Sequence, residues 1–490
     1  MSIARKALVG ALWTSGSNYL SQSVGMLSVA MLGRLLLKED YGLFGVANSI
    51  KEFLFILTAF SFNLSIVQTQ EQREHLYSTA LLLNVALALV TMLMTAIAIT
   101  AYMFFRPLSA TEIAVLVTLV AVNILNLFGQ HFDAILQRNL QFRTISMIAL
   151  VMNLANPLAA VSCAWAGFGV WSLVAGQSAG AVVFLAGSWL FAGWSVSFTY
   201  SRETARWFLS QGWKYLSSRS LEVLYTELDR IVVKRFSSYE QVGIYDRAIL
   251  AARYPARIVT PTIIGVAMPV YSKMSTGERS LSDAYALVNF FLIRVLLPFG
   301  LVFLLIPENF LQALLGEQWG VSAPVLRILA VYAVLHPVVE NFKMLFYALG
   351  RPGDVALARI VQVTVFLPAI FVLVALEGVT GAAWAMVASI LAMYIAFIIR
   401  AGMHVEINLW KTLVLPVLVA AAAGLVFWLL PATGISHPIP ALLVHGAIIF
   451  AVYGALELLV EGRSLRAHIA VVHTAFRRGG GSASSTSETE

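Results

Sequence analysis

The feature that most constrains this chain is the recurrence of apolar segments long enough to cross a bilayer. A crossing helix needs about 20 predominantly apolar residues. Fourteen stretches qualify: 8–33, 41–67, 78–104, 112–136, 144–166, 168–192, 211–236, 242–272, 285–306, 321–349, 354–376, 379–403, 411–430 and 439–460. In hydrocarbon a helix satisfies its own backbone groups, and no other open structure does. The expectation is therefore an all-α polytopic membrane protein of about fourteen transmembrane helices. Charged residues make up 12% of the 490, against roughly a quarter in soluble domains. A lone cysteine, Cys163, excludes an intramolecular disulfide framework. The basic start MSIARK runs into a long apolar stretch with no small-residue cleavage site, and reads as the first span rather than a removable leader.

Loop charges orient these spans. With the N-terminus in the cytoplasm and fourteen crossings, the cytoplasmic loops and adjoining span ends hold seventeen Lys and Arg residues and those on the opposite side five (Arg34, Lys38, Arg106, Lys234, Arg235). The other ten of the 32 lie deeper within spans. The positive-inside rule thus predicts two cytoplasmic termini. The formal charge of +7 is a topology signal, dispersed between apolar segments, and it points to no nucleic-acid partner.

The chain also repeats itself. At an offset of 201, GRLLLKEDYGLFGVA aligns with KRFSSYEQVGIYDRA, placing Glu39 on Glu240, Gly42 on Gly243 and Ala47 on Ala248. AGFGVWSLV near Gly167 answers EGVTGAAWAMV near Gly378, each a tight, glycine-permitted connection between consecutive spans. A repeat of six spans keeps both copies in one orientation. The predicted organisation is two six-helix lobes in parallel repeat, 1–205 and 206–405. Two additional spans follow in 406–461, and a tail in 462–490 that is basic and then of disordered composition. Transporters built this way bind substrate between the repeats.

Intramembrane charge concentrates where the second lobe begins. Arg219, Glu222, Thr226 and Arg230 fall on one face of a helix at 100° per residue, as do Asp246, Arg253 and Arg257 on the next, with Arg247 a quarter turn away. Charges at bilayer depth persist where they meet a partner or a water-filled cavity. Interhelical ion pairing is one reading of these residues; a hydrated cationic chamber is the other, because Asp246 cannot neutralise three arginines. Lys51 lies in span two. Asn123, Asn126, Gln130, Asp133 and Gln137 form a polar stripe on span four, and His336, Glu340 and Lys343 share a face of span ten. Candidate substrate contacts are therefore Arg219, Arg230, Arg247, Arg253, Arg257, Lys51, Lys343, Asn123, Asn126 and Gln130. Asp133, Asp246, His336 and Glu340 are candidates for ion coupling. Glu340 and Lys343 can also simply pair with each other. Arg294 and Arg359 are further intramembrane cations with no partner near them in sequence.

No chemistry-bearing motif is present. The chain has no P-loop, no HExxH, no cysteine pair for a metal and no G-x-S-x-G. No cofactor, metal site or enzymatic activity is expected.

Several segments resemble the polysaccharide exporter family of the multidrug/oligosaccharidyl-lipid/polysaccharide exporter superfamily. LGRLLLKEDYGLFGVANSI, GFGVWSLVAGQ, ELDRIVVKRFSSYEQVGIYDRA, LLGEQW and ALGRPGDVALARIVQV are similar to its patterns, in order, and the resemblance runs from about Ala4 to Glu461. The resemblance implies a flippase for polyprenyl-pyrophosphate-linked oligosaccharide in the bacterial inner membrane. Its implied partners are membrane lipids and the polymerase and export machinery of a surface polysaccharide. A peptidoglycan-precursor flippase and a multidrug exporter of the same superfamily are nearby readings, and a membrane glycan polymerase or glycosyltransferase is the reading from another class. His131 and Asp133 depart from the family pattern.

Overall fold

The computed structural model describes residues 21–56, 62–69, 75–105, 107–274, 278–405, 407–431 and 434–481. Every regular element among them is helical. Ten helices are long and apolar enough to cross a membrane. Four come from the first half: α4 (Leu76–Phe105), α5 (Ala110–Arg138), α6 (Phe142–Trp165) and α7 (Val170–Phe191). The others are α10 (Glu278–Leu305), α12 (Ala323–Ala348), α13 (Pro352–Glu377), α14 (Val379–Ala401), α15 (Leu415–Leu429) and α16 (Pro438–Gly481). The chain is a multi-pass membrane protein.

Four of the fourteen expected spans look different. The first lies partly outside the described residues, which begin within α1 at 21–35. The second is divided between α2 (Lys38–Leu54) and α3 (Phe62–Gln68). The remaining two form α8 (Arg202–Phe236) and α9 (Tyr239–Met274), fully helical but rich in charge. The short α11 (Pro307–Leu315) leads into α12 through a 3-10 turn at Glu317–Ser322, and a π-helical turn at Trp410–Val414 leads into α15.

The chain divides into two compact units. The first contains the described residues up to Arg247, with Leu314–Trp319 and Phe366–Ala382. Its core joins α2, α5 and α7 through Ala47, Leu54, Val115, Leu119, Val170 and Val174. Helix α7 comes close to α6 because Gly176 and Gly180, one turn apart, sit on Asn156 and Ala160. Lipid offers no hydrophobic drive for helix pairing, so small residues that admit close backbone contact supply it through van der Waals packing. The glycine-permitted connections are as expected: Gly167 (φ 81°) and Gly169 (φ 54°) turn α6 into α7, and Gly378 (φ 60°) turns α13 into α14.

The second unit contains Ala248–Ala313, Gly320–Val365 and the described residues from Ala383 onward. Here α12 packs on α14 by the stacked rings of Phe342 and Phe397, 5.5 Å apart, and meets α10 through Tyr285 against Phe342. Tyr271 donates to Asn341 Oδ1 at 3.1 Å inside the apolar core.

Candidate functional site

The two copies of the repeated glycine motif lie against each other in the first unit. A Cβ on Gly42 would collide with the carbonyl of Tyr239, and a Cβ on Gly243 would collide with the carbonyl of Lys38. At the offset of 201, Lys38 corresponds to Tyr239 as Gly42 does to Gly243. Each helix start therefore offers its opening carbonyl to the other's glycine. Lys38 Nζ reaches Glu240 Oε1 at 3.2 Å across the same contact. Lys234 lies over the Tyr239 ring at 3.7 Å, and the Tyr239 hydroxyl donates to Glu112 at the start of α5.

LLGEQW closes the end of α1. Gln318 Nε2 donates to the carbonyls of Gly33 (2.7 Å) and Leu36 (3.1 Å), and Trp319 Nε1 donates to Gly33 at 2.7 Å. These bonds satisfy carbonyls that a helix end leaves without an intrahelical donor. Trp319 is fully buried and meets Tyr41 edge-on at 5.4 Å.

From Tyr41 an ionic chain runs inward. The Arg247 guanidinium stacks over the Tyr41 ring at 4.1 Å and donates to Asp246. Asp246 also accepts from Arg230 Nε at 2.8 Å. Arg230 continues to Glu227 at 3.2 Å and to the carbonyl of Thr226 at 2.9 Å, and Ser49 donates to Glu227 at 2.8 Å, tying α2 to α8. Asp229, buried, accepts from the Tyr245 hydroxyl at 2.9 Å. Arg230 and Arg247 are thus engaged by Glu227, Asp229 and Asp246 in this conformation, the ion-pair arrangement that the helical spacing left open. Lys51 is buried, 3.1 Å from Glu52 and 3.0 Å from Asn48 Oδ1.

In the second unit the basic groups outnumber the acids. On α12, Lys343 Nζ is 2.6 Å from Glu340 Oε1, and His336 Nε2 is 3.8 Å from the same oxygen. Arg253, Lys343 and Arg359 all lie close enough to act electrostatically on His336. Lys343 and Arg359 also act on Glu340. Arg359 also donates to Gln362 at 2.7 Å. Arg253 is half-buried and Arg257, a turn later, is exposed. Pro337, inside α12, withdraws one backbone donor beside the cluster.

The other candidates are dispersed. Asn123 and Asn126 are half-buried and Gln130 is exposed. Asp133 accepts from Gln137 at 2.8 Å. His131 is buried edge-on between Phe132 and Trp194. The side chain of Arg219 lies outside the described residues. Sequence reasoning did not group Arg359 with span ten, because the contact depends on how α13 packs.

Residues 31–324 match the family model described as polysaccharide biosynthesis protein. The chain belongs to this family. The match includes four of the five segments that carried the resemblance, from the first glycine motif to LLGEQW, and ends before ALGRPGDVALARIVQV. Two curated proteins are similar to this member over most of their length. The teichuronic acid biosynthesis protein TuaB of Bacillus subtilis (strain 168) is 24% identical over 71% of this chain and 73% of its own. The lipopolysaccharide biosynthesis protein WzxC of Escherichia coli (strain K12) is 25% identical over 78% of each. Among solved structures, a lipid II flippase MurJ in an inward closed conformation superposes with a TM-score of 0.69 at 12% identity, over 93% of this chain and 100% of that one. An inward-facing multidrug resistance MATE transporter of the MOP superfamily gives 0.54 at 17% identity, over 82% and 96%. At those identities the likeness establishes a shared fold.

Proposed function

We propose that this family member is a flippase that carries polyprenyl-pyrophosphate-linked oligosaccharide from the cytoplasmic to the outer leaflet of the bacterial inner membrane, by alternating access. The observation that carries this reading is the cluster of Arg253, Lys343 and Arg359 about His336 in the second unit, with Lys343 bonded to Glu340. A pyrophosphate head cannot cross hydrocarbon without compensation. Guanidinium groups bind phosphate oxygens with two parallel, charge-assisted bonds, and an ammonium adds a point charge. Arg257, exposed one turn from Arg253, extends the same basic face. Asn123, Asn126 and Gln130 offer amides suited to sugar hydroxyls.

In the first unit Arg230 and Arg247 are held by carboxylates in this state. A phosphate arriving there competes with Asp246 for the same guanidinium donors, so substrate binding and rearrangement of this chain of ion pairs are linked. His336 and Glu340, 3.8 Å apart, are the groups placed to carry a coupling proton. The names of the curated relatives support a surface polysaccharide as cargo. The shared fold with a lipid II flippase supports a lipid-linked sugar as the chemical class.

The deciding experiment is complementation of a strain lacking its own polysaccharide flippase. Restored surface glycan, together with loss of the lipid-linked precursor that accumulates in the cytoplasmic leaflet, is the expected result. Rescue of a strain lacking its lipid II flippase instead would replace this cargo with the peptidoglycan precursor. Drug efflux without glycan export would turn the reading to a multidrug exporter.

A further inference from the structure

Arg294, a cation with no partner near it in sequence, is held in the second unit by residues more than 160 positions away. Its Nε donates to Glu457 Oε1 at 2.6 Å and to Glu461 Oε2 at 2.9 Å, and its Nη2 donates to Glu461 as well. The remaining donors go to the carbonyls of Phe290 (3.0 Å) and Lys411 (3.2 Å), and the guanidinium lies over the Phe290 ring at 3.6 Å. Each of its three nitrogens is engaged. Glu457 is only 5% exposed, and among the described residues its Oε2 takes no bond from Arg294. Tyr453, one turn earlier and also buried, faces it.

Charge counting makes this arrangement informative. Arg294, Glu457 and Glu461 are all buried, and one cation between two carboxylates leaves an excess negative charge. An uncompensated buried charge is among the costliest things a fold can hold. Two carboxyl groups crowded into one site resolve the conflict by keeping one of them protonated. The other ionisable groups nearby do not supply the missing charge. Lys411 lines the adjoining cavity but is exposed and forms no ion pair among the described residues. Arg463 and Arg466 are exposed. His468 is stacked on Phe290 at 4.1 Å and bonded to Ser464. Tyr285, on α10, is neutral.

A route to the pair also exists. A cavity of about 140 Å³, lined by Asn408, Lys411, Thr412, Ser464 and His468, reaches Glu461. By the loop-charge orientation it opens toward the cytoplasm. We propose that the Glu457–Glu461 pair is a proton-binding site, loaded through this cavity and separate from His336 and Glu340. The bound proton converts one carboxylate to a carboxylic acid and leaves the triad neutral. Its release leaves an extra negative charge that loosens α16 from α10 and from the π-helical turn. The appended helices would then respond to pH independently of the cationic cluster on α12.

The test uses the purified full-length protein in lipid nanodiscs and infrared difference spectra across a pH titration. The expected result is a carboxylic C=O band that grows as pH falls and is lost in Glu457→Gln. In Glu457→Asp, which keeps a titrating carboxyl, the band should persist at a shifted frequency. Thermal stability read on the same samples guards against an unfolded variant. An unchanged wild-type band in both variants overturns the proposal, since the titrating group would lie elsewhere. So does a wild-type spectrum that is insensitive to pH but altered when sodium replaces potassium, which would make the pair a metal-cation site.

Discussion

The reciprocal glycine contact gives the sharpest mechanical prediction. In Gly42→Ala the new methyl overlaps the carbonyl of Tyr239, and in Gly243→Ala it overlaps that of Lys38. In both cases the obstacle is backbone, which cannot swing aside as a flexible side chain does. The helices must separate until the methyl reaches van der Waals distance, and overpacking of this kind costs about 1–3 kcal/mol. That shifts the ratio of joined to separated helices by about 5- to 150-fold. The two costs should not add, because a gap opened for one methyl admits the other. Val242, fully buried and 3.8 Å from the site of a Gly45 Cβ, reports on the gap. In a Cys163→Ser background, Val242→Cys should react slowly with an aqueous maleimide, and faster by that factor once Gly42→Ala is added. Gly25→Ala, with nothing within 4 Å of the new methyl, is the control and should change nothing. If the Gly42→Ala, Gly243→Ala double variant leaves Val242→Cys as protected as before, the contact does not hold α2 to α9 and the reasoning fails.

Other consequences are more local. Trp319→Phe removes the bond to the Gly33 carbonyl while keeping the ring contact with Tyr41, and should cost about 0.5–1.5 kcal/mol of stability, read as a lower unfolding temperature; an unchanged temperature would show that this cap contributes nothing. Lys343→Gln should reduce glycan export while membrane abundance holds, and Lys343→Arg should retain most of it, because Glu340 keeps a cationic partner; equal export by both would remove Lys343 from the site. The Arg253→Glu, Arg257→Glu double variant should abolish export at normal abundance, and wild-type export would eliminate both as phosphate contacts. Reporter fusions after Glu461 and in the 431–440 loop should give opposite sidedness, whereas matching signals would refute the fourteen-span topology.

The sequence was most legible where structure is local. Apolar runs of spanning length predicted α4–α7, α10 and α12–α16, and Gly167 and Gly378 read as turns because a left-handed backbone leaves its mark at one residue. What could not be read was who answers whom across the chain. Asp246 holds Arg230 from a different helix, and Gln318 and Trp319 cap a helix that ends some 280 residues earlier. Arg294 had no partner near it in sequence, and Glu457 and Glu461 answer it from more than 160 positions away. Helix periodicity fixes the face a residue presents, but only packing supplies its partner.

The Gly42–Gly243 contact is isologous: each copy of the motif presents the same atoms to the other, as two identical subunits do across a dyad. Such an interface needs one surface, not two matched ones, so a single ancestral motif would already be complementary to itself. A duplication of that ancestor would then have converted a dimer contact into one within a single chain. Freed from identity, the copies could diverge unequally. Tyr41 and Val242, equivalent at the offset of 201, show the outcome, one carrying the stacked Arg247 and the other a plain apolar wall. Polarity of function along such an axis is acquired, and its origin lies in the residues where the two copies no longer agree.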